Sequence, residues 1–152
     1  MPDAAPIERT YNALYRHSVD PKRRVPVPFR WRPEDSVEFT IVVWSKHQAG
    51  TCLRVLPPEQ WAKLRADINA MPSSDPKKPL LKRQIGTNSI QAKLDSAGRI
   101  TIPEEMAAAA DIKNQAVLVG MIDKFEIWSP ERHKAMEVMD SVLLQEALQM
   151  ME

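Results

Sequence analysis

The sequence predicts an α+β fold assembled from two similar halves, and three observations carry that prediction. The pattern Asp20-Pro-Lys-Arg-Arg-Val-Pro-Val-Pro28 recurs as Asp95-Ser-Ala-Gly-Arg-Ile-Thr-Ile-Pro103: Asp, Arg four positions on, then apolar-x-apolar-Pro. The two copies lie 75 residues apart (95 − 20 = 75) in a chain of 152. Each copy is followed by the same order of strand-like and helix-like segments. A single unit of this size buries little surface by itself, so two units imply a composite fold, and two copies of one basic turn imply a bivalent binding surface.

The elements follow in order. Tyr15 to Val19 reads as a strand, Asp20 to Arg23 as a turn, and Arg24 to Val27 as the returning strand. Asp suits the turn because its carboxylate accepts backbone N–H bonds two residues on. Val37 to Trp44 is rich in β-branched and aromatic residues and reads as a strand, with Gln48-Ala-Gly50 turning the chain into Thr51 to Leu56. Pro57-Pro58-Glu59 opens a helix in which Trp61, Leu64, Ile68 and Met71 recur at helical spacing. Met71 to Pro79 is linker-like, and Asp75-Pro76 caps a helix running to Ile85, with Gly86 past its end.

The second half repeats the plan. Ile90 to Leu94 is a strand, Asp95 to Gly98 a turn and Arg99 to Ile102 a strand, followed by a helix from Pro103 to about Ala110. Val117 to Ile122 and Phe125 to Trp128 form a strand pair around Asp123-Lys124. Ser129-Pro130-Glu131 then starts the last helix, with Ser as N-cap and Pro at the first helical position. Its stripe of Met136, Met139, Leu143, Ala147 and Met150 reads as internal packing, or in an oligomer as a shared interface.

Composition excludes several classes. With 43% hydrophobic and 27% charged residues the chain suits a soluble domain, and its longest apolar stretches are too short to span a membrane. The N-terminus lacks a basic start followed by an apolar run, so no secretory signal is expected. A lone Cys52, read as a half-buried strand residue, fits a reducing cytoplasm and cannot form an internal disulfide. One Cys and three scattered His (His17, His47 and His133) give no metal cluster, and four glycines leave no phosphate-cradling loop. No nucleophile elbow is present either. Neither catalysis, a cofactor, a metal nor a small-molecule substrate is expected.

The net charge of +1 is unevenly spread. Residues 16–32 carry Arg16, Lys22, Arg23, Arg24, Arg30 and Arg32 against Asp20 alone. Residues 77–99 carry Lys77, Lys78, Lys82, Arg83, Lys93 and Arg99 against Asp95. Such asymmetry marks a polyanion-binding face on a near-neutral body. A tight turn presenting Lys22, Arg23 and Arg24 gathers cations at one tip, and Arg can fork onto guanine or phosphate. An alternative assignment pairs each turn Arg with its own Asp at a strand end.

These residues resemble the AbrB/SpoVT-type swapped-hairpin DNA-binding element, and two copies in one chain resemble the MraZ family of transcriptional regulators. The second half is the closer match, through Leu94-Asp-Ser-Ala-Gly-Arg-Ile-Thr-Ile-Pro103, Val117-Leu-Val-Gly120 and Lys124-Phe-Glu-Ile-Trp128. The resemblance covers about residues 12–150. It implies two AbrB/SpoVT-like halves forming a pseudosymmetric interlocked β-barrel with peripheral helices, and a ring of several subunits. It also implies a cytoplasmic, nucleoid-associated regulator, read here as a repressor, of the division and cell wall gene cluster. Its target would be double-stranded promoter DNA with short direct repeats. The family's DNA contacts map onto Arg24 and Arg99, with Lys22 at the basic position of the first turn, while Asp20, Asp95 and Gly98 form the turns. Arg16, Arg23 and Lys93 join the candidate DNA-binding set through charge and position.

On this reading residues 1–11 are a disordered extension, 12–61 the first half, and 62–87 the connecting helices and linker. Residues 88–133 form the second half and 134–152 the C-terminal helix. The first half departs from the family pattern. Arg23 stands where Gly is usual, adding strain if the site needs positive φ and a cation if it does not. Pro26 removes a ladder donor, which suits an edge or bulge. These departures and the apolar last helix also leave room for an antitoxin-like or scaffold role, in which the same fold holds a protein partner.

Overall fold

Runs rich in β-branched and aromatic residues lay down the central strands, and Pro or Ser residues open the longer helices. The computed structural model describes residues 9–34 and 36–151. In chain order the elements are β1 (Leu14–Ser18), β2 (Arg24–Pro26), a 3₁₀ turn (Phe29–Trp31), β3 (Phe39–Trp44), β4 (Cys52–Leu56), α1 (Pro58–Asn69) and α2 (Lys77–Thr87). There follow β5 (Ser89–Ala92), β6 (Arg99–Thr101), α3 (Glu104–Ala109), β7 (Gln115–Gly120), β8 (Phe125–Trp128) and α4 (Pro130–Gln149). The fold is α+β.

Six strands form one antiparallel sheet in the order β1-β7-β8-β4-β3-β5, and β2 pairs with β6 in a separate two-stranded ribbon. Pairing crosses between the halves: β1 joins β7, β5 joins β3, and β2 joins β6. The strands on either side of each Asp turn therefore do not pair with one another, as a returning strand would. Crossing sets Val25 opposite Ile100, both fully buried, and brings the two turns to one place. Pro26 lies in this ribbon, where both strands are edges and a missing donor costs no internal ladder bond.

The core fills the space between ribbon and sheet. Val25, Val27, Ile100 and Ile102 meet Phe39, Ile41, Leu53, Val55, Leu118, Phe125 and Ile127, all 0% exposed. Tyr11 and Trp31 close one end, with Trp31 5.0 Å from Phe125 between ring centroids. Each such aliphatic side chain contributes ~1.5–3 kcal/mol relative to an exposed one. The alternate residues of the same strands face the other side, where Cys52, Val117 and Trp128 pack with Trp44 and Met136. There Arg54 stacks 4.2 Å from the Trp44 ring centre and donates from Nε to Glu126, 2.8 Å away, while Trp128 Nε1 donates to the same carboxylate.

Several expectations change. Cys52 is fully buried rather than half-buried, and burial pushes its thiol far above the ordinary range. α2 continues through Gly86 to Thr87 instead of stopping before it. Strand and helix ends move by one to two residues elsewhere, as with Phe39 rather than Val37 opening β3. Of the expected extension 1–11, residues 1–8 lie outside the described residues, but Tyr11 is a core residue, bonded through its backbone to Ile122. The largest change is at α4. Only His133 is buried there, and Met139, Leu143 and Met150 are exposed along with Val138, Val142, Leu144 and Leu148. The apolar stripe is not internal packing beyond Met136, because α4 packs on the apolar side of the sheet only through His133 and Met136 in its first turns. Among the described residues no helix is long and apolar enough to cross a membrane.

Candidate nucleic-acid interface

Each turn is built by one carboxylate. Asp20 Oδ1 accepts from the backbone N–H groups of Lys22 (2.9 Å) and Arg24 (2.8 Å), and Oδ2 accepts from Arg24 Nε at 2.6 Å. Asp95 Oδ1 accepts from Ala97 and Arg99 N–H (both 2.9 Å), and Oδ2 accepts from Arg99 Nε at 2.9 Å. The backbone closes both loops alike, Arg23 N–H to Asp20 C=O at 2.8 Å and Gly98 N–H to Asp95 C=O at 2.9 Å. The two turns are bond-for-bond copies. In each, the backbone N–H of the Arg is the main cause that holds the Asp carboxyl below its usual range, with the guanidinium adding to it.

Because β2 and β6 pair, the turns stand side by side, with Arg99 Nη1 3.9 Å from Asp20 Oδ2 as well as beside its own Asp95. Asp20, Lys22, Arg23, Arg24, Asp95, Gly98 and Arg99 thus meet at one end of the molecule. The Nε atoms of Arg24 and Arg99 are committed to the turns, which is the strand-end pairing weighed above. About a third of each side chain (30% and 33%) stays exposed beyond that bond. Lys22 is exposed at the first tip, and Lys93 precedes the second turn, also exposed. Arg16 is exposed on β1 but sits near His133 at the start of α4, away from the tips.

Arg23 resolves the departure in the first turn. It adopts φ 61°, the left-handed region that Gly98 occupies at φ 77°. A non-glycine residue there costs ~1–2 kcal/mol. The side chain offsets part of this cost by donating from Nε to Ile102 C=O at 3.0 Å, and this bond turns it back toward the protein. In the other half the equivalent carbonyl is Val27 (102 − 75 = 27), and it accepts from Arg32 Nε at 2.8 Å. Arg32 lies over Gly98, in the space a side chain at 98 would need. Arg23 with Ile102, and Arg32 with Val27, are therefore two solutions to one capping requirement.

Arg32, Arg30 and Phe29 lie in the basic segment 16–32 but outside the residues expected to bind DNA. The crossing of the chain brings Phe29 and Arg32 beside the second turn, where they share a cleft with Asp95, Ser96 and Gly98. The second tip, poor in charge along the sequence, is thus completed by cations of the first half. Counting charge along the sequence could flag Arg30 and Arg32, but it could not place them at the opposite turn.

Among known proteins, a family model described as "MraZ protein, putative antitoxin-like" matches residues 86–147. The chain is 31% identical over 117 residues to the transcriptional regulator MraZ of Leuconostoc citreum, covering 77% of this chain and 79% of that protein. It is 33% identical over 122 residues to the transcriptional regulator MraZ of Stenotrophomonas maltophilia, with 78% and 82% covered. A similar match, 29% over 130 residues, is to the transcriptional regulator MraZ of Pseudomonas putida, with 85% and 86% covered.

Proposed function

The chain belongs to the MraZ family, and from that premise we propose that it is a DNA-binding transcriptional regulator, a repressor of the division and cell wall gene cluster. The observation that carries this reading is the pair of matching basic turns set side by side. A two-stranded antiparallel ribbon such as β2–β6 fits the major groove of B-DNA. On this reading the halves make an interlocked swapped-hairpin barrel whose tips engage short direct repeats in double-stranded promoter DNA.

Lys22, Arg24, Arg99 and Lys93 supply the phosphate and base contacts, held in register by Asp20, Asp95 and Gly98, while Arg23, bonded back to Ile102 C=O, and Arg16, away from the tips, add to the positive field. Each neutralised phosphate releases counterions, which makes affinity fall steeply with salt. One pair of tips binds weakly, so the reading also includes a homo-oligomeric ring that presents many tips at once. The exposed apolar length of α4 supports assembly. Action is in the cytoplasm, at the nucleoid, without a membrane partner, cofactor or enzymatic step.

The test is fluorescence anisotropy with a duplex taken from DNA upstream of the chain's own gene, at two salt concentrations. Lys22→Ala should weaken binding and reduce the salt slope by about one for each protomer engaged. Arg24→Ala and Arg99→Ala should weaken it further, and circular dichroism on each variant checks that the turn has not unfolded the protein. No saturable binding at moderate salt would refute the proposal. The exposed α4 also fits a protein partner, and capture of one stoichiometric partner insensitive to Arg99→Ala would favour the antitoxin-like or scaffold role.

A further inference from the structure

Phe29 is 80% exposed, and its position is unusual for an aromatic side chain with a buried alternative so close. It follows Pro28 directly after the ribbon strand β2, on the 3₁₀ turn whose other aromatic, Trp31, is 1% exposed. Trp31 N–H bonds to Pro28 C=O at 2.9 Å, and Trp31 Nε1 bonds to Asn12 C=O at 3.1 Å. With Trp31 locked in the core, Phe29 is held outward. Arg32, fixed by its bond to Val27 C=O, lies 5.7 Å from the Phe29 ring centre and against Gly98. An apolar ring is thus mounted beside the second turn and flanked by the cations Arg30 and Arg32.

The equivalent positions in the second half are Glu104 and Glu105 (29 + 75 = 104, 30 + 75 = 105). The second half therefore has no counterpart of this apolar and cationic element, its equivalent positions being exposed carboxylates on α3. Phosphate contact requires no exposed aromatic ring. Bases do offer an apolar partner in the major groove, the C5-methyl of thymine, which Phe is suited to contact.

We propose that Phe29 is a sequence-reading residue that packs against thymine methyl groups in the major groove next to the second turn. The inference rests on the DNA-binding reading above. It makes the two tips unequal: both hold the backbone, and the one beside Phe29 discriminates T·A pairs.

The test uses the same upstream duplex, with each thymine replaced in turn by deoxyuridine, which removes only the methyl group. Wild-type affinity should fall about fourfold for each contacted methyl lost. Phe29→Ala should bind more weakly from the outset and be indifferent to those replacements, whereas Phe29→Leu should keep part of the sensitivity. Ile122→Ala, at another exposed apolar residue, should behave as wild type. If Phe29→Ala binds the thymine duplex like wild type, or remains as sensitive to deoxyuridine, the inference is wrong. It is equally wrong if deoxyuridine has no effect but Phe29→Ala abolishes bending of the DNA, the mark of a wedge between base steps. Failure of wild type to bind any duplex would sink the DNA-binding reading itself, a different result from binding that ignores Phe29.

Discussion

At the scale of single residues, the two turns show how one backbone requirement accepts different side chains. Position 98 is Gly, and Arg32 crosses from the other half to occupy the vacant space and cap Val27 C=O. Position 23 is Arg, which caps Ile102 C=O itself, and the position equivalent to Arg32 is Ala107 (32 + 75 = 107), with no guanidinium to compete. The pairs Arg23/Ala107 and Gly98/Arg32 are complementary. Gly98→Ala should therefore destabilise by ~2 kcal/mol, through its positive φ and through displacement of Arg32. Adding Arg32→Ala should cost less than the sum of the two single changes, since both disturb the same bond. Denaturant unfolding of the four proteins in the cycle measures this, and strict additivity would contradict it.

At the scale of elements, α4 is anchored from its N-cap as far as Asp140 and free beyond. Ser129 Oγ caps it by accepting from Arg132 N–H at 3.2 Å, and His133 fills the space beneath at 2% exposure. Farther along, His47 Nε2 lies 2.8 Å from Asp140 Oδ1 and ties the β3–β4 loop to the helix. Burial lowers the His133 pKa, Arg16 adds to that, and the Glu137 carboxylate 3.1 Å away opposes it. The folded protein therefore favours the neutral ring. His133 lends its full stability above its unfolded value of ~6.5 and loses it as pH falls from there through the lower folded value. Thermal unfolding should show a lower midpoint at pH 5.5 than at pH 7.5. His133→Gln should flatten that difference, and an unchanged difference would place the sensitivity elsewhere.

At the scale of the whole molecule, the exposed surface is sorted by chemistry. The ribbon end gathers the basic turns. The far part of α4, from Glu137 to Gln149, is apolar on its exposed flanks, with Glu137, Asp140 and Glu146 and no cation. α2 carries Lys77, Lys78, Lys82 and Arg83 with no acid, and a groove lined by Trp61, Ile68 and Ile85 runs between it and α1. Opposed charges and exposed apolar groups on separate parts of one chain suit a heterologous contact, the kind that closes rings. Light scattering after gel filtration should give a mass well above that of one chain. Deleting residues 138–152 should reduce it toward the monomer while leaving circular dichroism of the sheet intact. A monomeric full-length chain would remove the ring, and with it the many-tipped mode of DNA binding.

Much of this was legible in sequence. The Asp-to-Pro repeat located both turns because a carboxylate accepting two N–H bonds is a local device, complete within five residues. The β-branched and aromatic runs of the strands and the Pro and Ser helix starts were local as well. Partner choice was not: that β1 pairs with β7 and β3 with β5 depends on which apolar faces meet between segments far apart in the chain, as Leu14 meets Val119 and Phe39 meets Ala92. The burial of Cys52 and the exposure of α4 depended on the same pairing, because a period of apolar residues marks a face without stating what covers it.

The chain by itself determined the duplication, the two Asp–Arg turns and the family, since each is written in short-range spacing. Only the tertiary structure decided that the turns stand together, that Arg23 bends back to Ile102 while Arg32 crosses to Gly98, and that Phe29 is left beside the second tip. The reason is physical. Short-range hydrogen bonds are set by neighbours in sequence, whereas burial and charge placement are set by which distant surfaces the fold brings into contact.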